Sequence, residues 1–277
     1  MCAQLGVIFG TKRRRSGDLE HITKLFGWCF TYLLLLSERR GPHATGAALL
    51  KSNGEHVLLK RPLRASEFIK DKRFREVLNG IDARMTLLMG HTRWQTVGDA
   101  SNNENNHPIR AGDVIGTHNG TIFNADELFD LLGLPRLAEV DSELIFRIAD
   151  ATLDDGCLDI AAIRARLALC RGQISAVLAS RQDSKTILVI KGNKPLELRY
   201  HKEHQAIVYA SDAAYLDLVL DKENGWRTLP TIPMSLLTFH CDDLPHYSSE
   251  PFRLANPIAR TRFRGSSGWD DNEAGDD

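Results

Sequence analysis

The chain has 277 residues, 43 % of them hydrophobic, enough to bury a substantial core in one large domain or two. Its formal net charge of −1 at pH 7 argues against a general nucleic-acid binder, which needs clustered cations for phosphates. Lys12-Arg13-Arg14-Arg15 is the one dense basic run, and beside Ser16-Gly17 it reads as a solvated loop.

The start of the chain has no charged segment leading into an apolar stretch and a cleavage site, so no signal peptide is expected. Five cysteines without paired spacing do not form a disulfide framework, and Cys29, Cys157, Cys170 and Cys241 read as small buried hydrophobes. A reducing, cytoplasmic location fits. The longest apolar stretch, Phe26 to Leu36, is too short to span a bilayer, which takes ~20 residues, so no membrane association is expected.

In chain order, Leu5 to Phe9 reads as a strand. Leu19, Ile22, Phe26, Cys29, Leu33 and Leu36 then recur at the three-and-four spacing of a buried helix. Ala44 to Leu50 and His56 to Leu59 are strands joined by Asn53-Gly54, an ordinary hairpin signal. Ser66 to Leu78 predicts a helix, Met85 to Met89 and Val114 to His118 predict strands, and Asn124 is placed to cap a short helix through Leu132 that Gly133 ends. Helices follow over Ser142 to Leu153 and Leu158 to Leu169, and Ile174 to Leu178 pairs with Ile187 to Ile190 through Asp183-Ser184. Pattern alone gives an α+β class. From Gly265 the composition is that of a disordered acidic tail.

Chemistry enters at Cys2. Removing Met1 would leave a thiol and a free α-amine on one residue, a nucleophile beside its own base. Any residue can follow an initiator methionine, so Cys2 alone says little. The stretch from Met89 to Asn124 adds His91-Thr92-Arg93-Trp94, Asn106-His107-Pro108 and His118-Asn119-Gly120, with Asp141 beyond it. Arg40-Gly41, Arg171-Gly172, Lys191-Gly192 with Pro195-Leu196, and Ala210-Ser211-Asp212 complete an ordered set. Locally, His118-Asn119-Gly120 reads equally well as a type I′ hairpin turn.

In that order the residues resemble the class II glutamine amidotransferases, from Cys2 to about Phe239. The resemblance implies the four-layer αββα sandwich of the N-terminal nucleophile hydrolases and attack by Cys2 on the side-chain amide of L-glutamine. Ammonia would leave first and glutamate would follow from a thioester. Arg93 would clamp the α-carboxylate, since its planar fork donates two parallel hydrogen bonds. Asp141 would receive the α-ammonium, with Gly120 as a helper. Asn119 and the Gly120 N–H would hold the developing oxyanion. Trp94 and Thr96 fall at substrate-side positions, as does His107, for which a structural role is expected over a catalytic one. Gln95 to Asn106 would close over the substrate, and its Gly98, Ser101 and asparagines suit a mobile loop. No metal or other cofactor is implied.

The chain departs from the family in places. Ala3-Gln4 replaces the commoner Gly-Ile, and Val97 stands where sugar-aminating members carry a second histidine. The expected organisation is a glutaminase domain over 1–240, a C-terminal extension over 241–264 and the tail over 265–277. Nothing after Phe239 resembles a sugar-phosphate isomerase, a phosphoribosyltransferase or an ATP-pyrophosphatase, so the ammonia acceptor is expected to be a separate synthase, with homo-oligomer formation left open. Three readings stand: a stand-alone glutaminase subunit, an amidohydrolase acting on a γ-glutamyl or other amide, and a non-catalytic regulatory module.

Overall fold

A computed structural model describes residues 2–11, 19–220 and 225–255. The basic run expected to be a loop and the expected acidic tail lie outside these residues.

Two antiparallel sheets organise the chain. The first runs β13-β11-β12-β1-β4-β2-β3, with β1 Ala3–Phe9, β2 Ala44–Lys51, β3 His56–Arg61, β4 Met85–Arg93, β11 Glu197–His201, β12 Ala206–Ala210 and β13 Trp226–Thr228. The second runs β15-β14-β10-β9-β6-β5, with β5 Ile109–Ala111, β6 Val114–Ile122, β9 Gly172–Ser180, β10 Thr186–Lys191, β14 Ser235–His240 and β15 Tyr247–Pro251. A small ribbon, β7 Leu153–Asp154 with β8 Cys157–Leu158, stands apart. The last strand of the second sheet thus comes from the segment assigned to the C-terminal extension, and Phe252 beyond it is buried in the core.

Alternation along the strands sends apolar side chains to both faces of each sheet, so each sheet must be covered twice. Leu5, Val7 and Phe9 of β1 face α1 Leu19–Ser37, α2 Ala65–Phe68, α3 Lys72–Asn79 and α7 Ala213–Val219, and pack with Phe26, Phe30, Phe68, Phe74 and Leu216. Ile8 of the same strand points the other way and meets Ile115, Val177 and Val189 of the second sheet. The outer face of the second sheet buries Leu144, Phe146 and Ile163 from α5 Glu143–Asp150 and α6 Ile160–Leu167, beside Leu128 and Phe129 of α4 Ala125–Leu132. The layers are helix, sheet, sheet, helix, as the family resemblance implied.

The expected helix over Ser66 to Leu78 is two helices. Asp71 adopts an extended backbone and its side chain accepts from the Arg73 N–H, restarting the helix there, while its second oxygen pairs with Arg61 at 3.0 Å. Asp159 likewise caps α6 by accepting from the Ala162 N–H, so that helix begins later than its apolar pattern suggests. The helix expected over Ser142 to Leu153 ends at Asp150, and Leu153 is in β7. Cys29, Cys170 and Cys241 are buried, but Cys157 sits exposed at the edge of the small ribbon and is not the buried hydrophobe its neighbours implied.

Candidate active site

The site forms where the start of β1, the end of β4 and the middle of β6 meet. His118-Asn119-Gly120 is no turn. It lies inside β6, whose register with β9 runs unbroken from Val114 opposite Ser180 to Ile122 opposite Gly172. Gly120 has φ 145°, and a Cβ there would come within 1.9 Å of the Gln173 carbonyl oxygen. Only glycine satisfies both conditions. The turn signal failed because Asn-Gly is a local cue, whereas the apolar pairing of β6 with β9 is set by the whole sheet.

Cys2 Sγ accepts from the Trp94 N–H at 3.3 Å and lies 3.6 Å from the Trp94 carbonyl oxygen. Burial pushes the thiol above its ordinary pKa, opposed by the Trp94 amide and by the charge of Arg93. Around the sulfur opens a cavity of about 470 Å³ whose lining includes Trp94, Thr96, Asn119, Gly120 and Ser211. The same lining carries the charged residues Arg40, Lys194, Glu197 and Asp212. Arg40 pairs with Asp212 at 3.2 Å.

Not every expected residue lines this cavity. Arg93 is only 3 % exposed, and its donors are engaged by the following loop: Nη1 donates to Asn106 Oδ1 at 2.9 Å, and Nη2 to the carbonyls of Val97 and Gly98, the latter at 2.8 Å. Asp141 lies at the end of β6, where Oδ2 accepts from the Ile122 N–H at 2.6 Å. The loop over 95–106, expected to be mobile, is anchored at its far end. Asn106 donates to the Ala100 carbonyl at 2.7 Å, and Asn105 bonds Glu139 Oε2 at 2.6 Å. Its near end faces solvent, with Trp94 44 % and Val97 60 % exposed, while the Gln95 N–H donates to His43 Nδ1 at 2.9 Å.

Behind the site stand three buried histidines. The rings of His91 and His107 stack at 4.2 Å, and His107 offers neither nitrogen a hydrogen-bond partner among the described residues, consistent with a packing role. Burial holds the pKa of His91 down to about 3, that of His107 well below the usual imidazole range, and that of His118 below it, the last opposed by Asp141. All three are neutral. A neutral His118 donating Nε2–H to the Gln173 carbonyl at 3.3 Å accepts at Nδ1 from Ser142 Oγ at 2.8 Å.

The amide of Asn119 lies between His91 Nε2, at 3.2 Å, and Ser211 Oγ, at 2.6 Å. If His91 carries its proton on Nε2, the amide oxygen faces His91 and the NH₂ donates to Ser211. The reversed amide matches the other tautomer, with Ser211 Oγ donating to the oxygen at 2.6 Å and the NH₂ reaching the His118 carbonyl at 3.3 Å. Asn119 is held by the same neighbours in both. Ser211, Arg40 and Asp212 had been noted only as members of short signatures, while Thr121, Gln173, Lys194 and Glu197 had carried no signal because their relation to Cys2 is purely spatial.

No protein-family model matches the chain. Over 225 residues it is 28 % identical to the glutamine-fructose-6-phosphate aminotransferase (isomerizing) of Halalkalibacterium halodurans, covering 80 % of this chain and 34 % of that protein. Over 180 residues it is 31 % identical to the enzyme of the same name from Staphylococcus aureus, covering 64 % of this chain and 28 % of the relative. In sequence the chain resembles the class II glutamine amidotransferases. It spans about a third of the length of the curated relatives it matches. Among solved structures, the Bacillus subtilis glutamine phosphoribosylpyrophosphate amidotransferase superposes with a TM-score of 0.64 at 17 % identity, over 91 % of this chain and 49 % of that one. That likeness is one of fold, two antiparallel sheets packed between helix layers. Among the described residues no helix is long and apolar enough to cross a membrane.

Proposed function

We propose that the chain hydrolyses the side-chain amide of L-glutamine, with Cys2 as nucleophile once Met1 is removed, and supplies ammonia to a separate acceptor enzyme. The observation that carries this reading is the meeting of Cys2 Sγ with Asn119 and Gly120 in one cavity. The α-amine of Cys2 takes the thiol proton, and Sγ attacks the amide carbon. Negative charge then develops on the amide oxygen, where the Asn119 NH₂ and the Gly120 N–H stabilise it. As the C–N bond breaks, the Cys2 α-ammonium gives its proton to the nitrogen, which leaves as ammonia; the freed amine then takes a proton from water, whose oxygen cleaves the thioester to glutamate, and returns it to the sulfur as the thiol.

Arg93 serves the α-carboxylate by releasing one of the loop carbonyls it holds, so substrate entry and loop position are exchanged. Asp141 Oδ1 receives the α-ammonium while Oδ2 keeps the Ile122 N–H. Trp94 and Thr96 cover the substrate. The relatives are named for amino transfer from glutamine to fructose 6-phosphate, which supports the first half-reaction. A second reading, cleavage of a larger γ-glutamyl amide, is favoured by the cavity's volume of about 470 Å³ and by the presence of Arg40, Lys194 and Asp212 in its lining beside Cys2.

Labelling with the glutamine-mimicking alkylator diazo-oxo-norleucine, read by intact mass and the N-terminal peptide, tests the proposal without requiring turnover. Loss of Met1 and one adduct on Cys2, blocked by excess glutamine, is expected. A processed Cys2 that stays unlabelled would favour the larger amide, and a retained Met1 would overturn the nucleophile.

A further inference from the structure

The pairing of β1 with β12 runs from Phe9 opposite Ala206 to Leu5 opposite Ala210, so Gln4 and Ser211 are next in register. The Ser211 N–H still donates to the Gln4 carbonyl at 2.9 Å. The return bond is different. The Gln4 N–H donates at 2.9 Å to Ser211 Oγ, a side-chain atom in place of a backbone carbonyl. The ladder therefore closes on a hydroxyl that projects between the sheets, where it meets the amide of Asn119 at 2.6 Å. Ser211 is 3 % exposed, and a third contact joins its Oγ to the Gln4 carbonyl at 3.0 Å.

The Gln4 side chain extends the same cross-link. It is fully buried, donates to Ser175 Oγ at 2.6 Å and to the Ser175 carbonyl at 3.0 Å, and accepts from Thr117 Oγ1 at 3.0 Å. Ser175 and Thr117 belong to β9 and β6, the strands that carry and flank Asn119. A buried amide in an otherwise apolar layer is costly unless satisfied, and both ends of this one are. Hydrophobic residues would fill the layer as well but would set no separation between the sheets along the strand direction.

We propose that Ser211 is a positioning residue for the reaction, fixing the oxyanion donor Asn119 relative to the strand that begins at the nucleophile, with Gln4 as its cross-sheet support. This rests on the glutaminase reading. Ser211 Oγ bonds Gln4 and Asn119 and makes no hydrogen bond to Cys2 Sγ. It acts through Asn119, which must point at an oxyanion formed only in the transition state, so its loss falls on the chemical step and spares ground-state binding.

The test compares glutamate release by the full chain with that of Ser211→Ala, Ser211→Cys, Asn119→Ala and the double variant Ser211→Ala/Asn119→Ala. Ser211→Cys keeps the buried volume but replaces the hydroxyl with a poor hydrogen-bonding group, and guards against a variant that fails simply through packing. Both single Ser211 variants are expected to lower kcat by about tenfold or more, short of the ~10²–10³ typical for deleting an oxyanion donor outright, with KM within about twofold. In the Asn119→Ala background the Ser211 change should have little further effect, because the group it orients is gone. Unchanged kcat in Ser211→Ala or Ser211→Cys, or losses that multiply fully in the double variant, would overturn the inference while leaving the glutaminase reading intact. A wild-type chain that neither takes the Cys2 label nor releases glutamate removes both.

Discussion

Acidification should destabilise this protein well above the carboxylate range, through the histidines at the back of the site. His91 is fully buried and its pKa is held at about 3, against an ordinary 6.5 that the unfolded chain regains. Its folded value lies below its unfolded one, so the neutral form belongs to the fold. The associated stability is present above the unfolded pKa and is lost as pH falls through and below 6.5. At about 1.4 kcal/mol per unit, His91 alone takes away about 2 kcal/mol between pH 6.5 and 5. His107 and His118 act in the same direction, as do the part-buried His56 and His204. The depressed carboxylates Asp82 and Asp99 lose their contribution only near and below their own unfolded values, so the two windows separate. Urea unfolding at several pH values between 7.5 and 5 measures the slope, and His91→Gln should reduce it by up to one proton. A flat stability from pH 7 to 5, or a slope unaltered in His91→Gln, would refute the burial argument.

Cys2→Ala should abolish glutamate release while leaving the unfolding midpoint near wild type, and retained release would remove Cys2 as nucleophile. Arg93→Lys, which cannot span Asn106 and the two loop carbonyls with one ammonium, should raise the KM for glutamine at least tenfold, about 1.4 kcal/mol in binding; an unchanged KM would take Arg93 out of the carboxylate role. Asn119→Ala should lower kcat by ~10²–10³ with a small effect on KM, and the reverse pattern would argue against an oxyanion role. Gly120→Ala forces a Cβ against the Gln173 carbonyl at a positive φ and should destabilise by about 2 kcal/mol or more, read as a lowered midpoint in chemical denaturation.

The outer helices and central strands were legible because their apolar residues recur at helical or alternating spacing over long stretches, as in α1 and β2. Errors fell where one polar side chain overrides the pattern, at the caps Asp71 and Asp159. The site divides the same way. Cys2, Asn119 and Gly120 could be found because they sit in short ordered motifs, and the structure brings them to one cavity. The engagement of Arg93 by its own loop could not be read, since it depends on backbone carbonyls that carry no sequence signature. Gln4 registered only as a departure from Gly-Ile, because its partners Ser175 and Thr117 are more than a hundred residues away in the chain.

The placement of Asn119 and Gly120 within a continuous strand, while the segment after Trp94 hangs from a guanidinium, assigns two clocks to two parts of the molecule. On the proposed reading, release of the Val97 and Gly98 carbonyls from Arg93 breaks and remakes a few polar contacts, whereas Asn119 and Gly120 are held in the unbroken pairing of β6 with β9. Turnover limited by the loop would slow with added viscogen and be insensitive to leaving-group chemistry; turnover limited at Cys2 would show the opposite. On the proposed reading, changes around Arg93 therefore retune how often substrate is admitted and leave the placement of Asn119 and Gly120 intact.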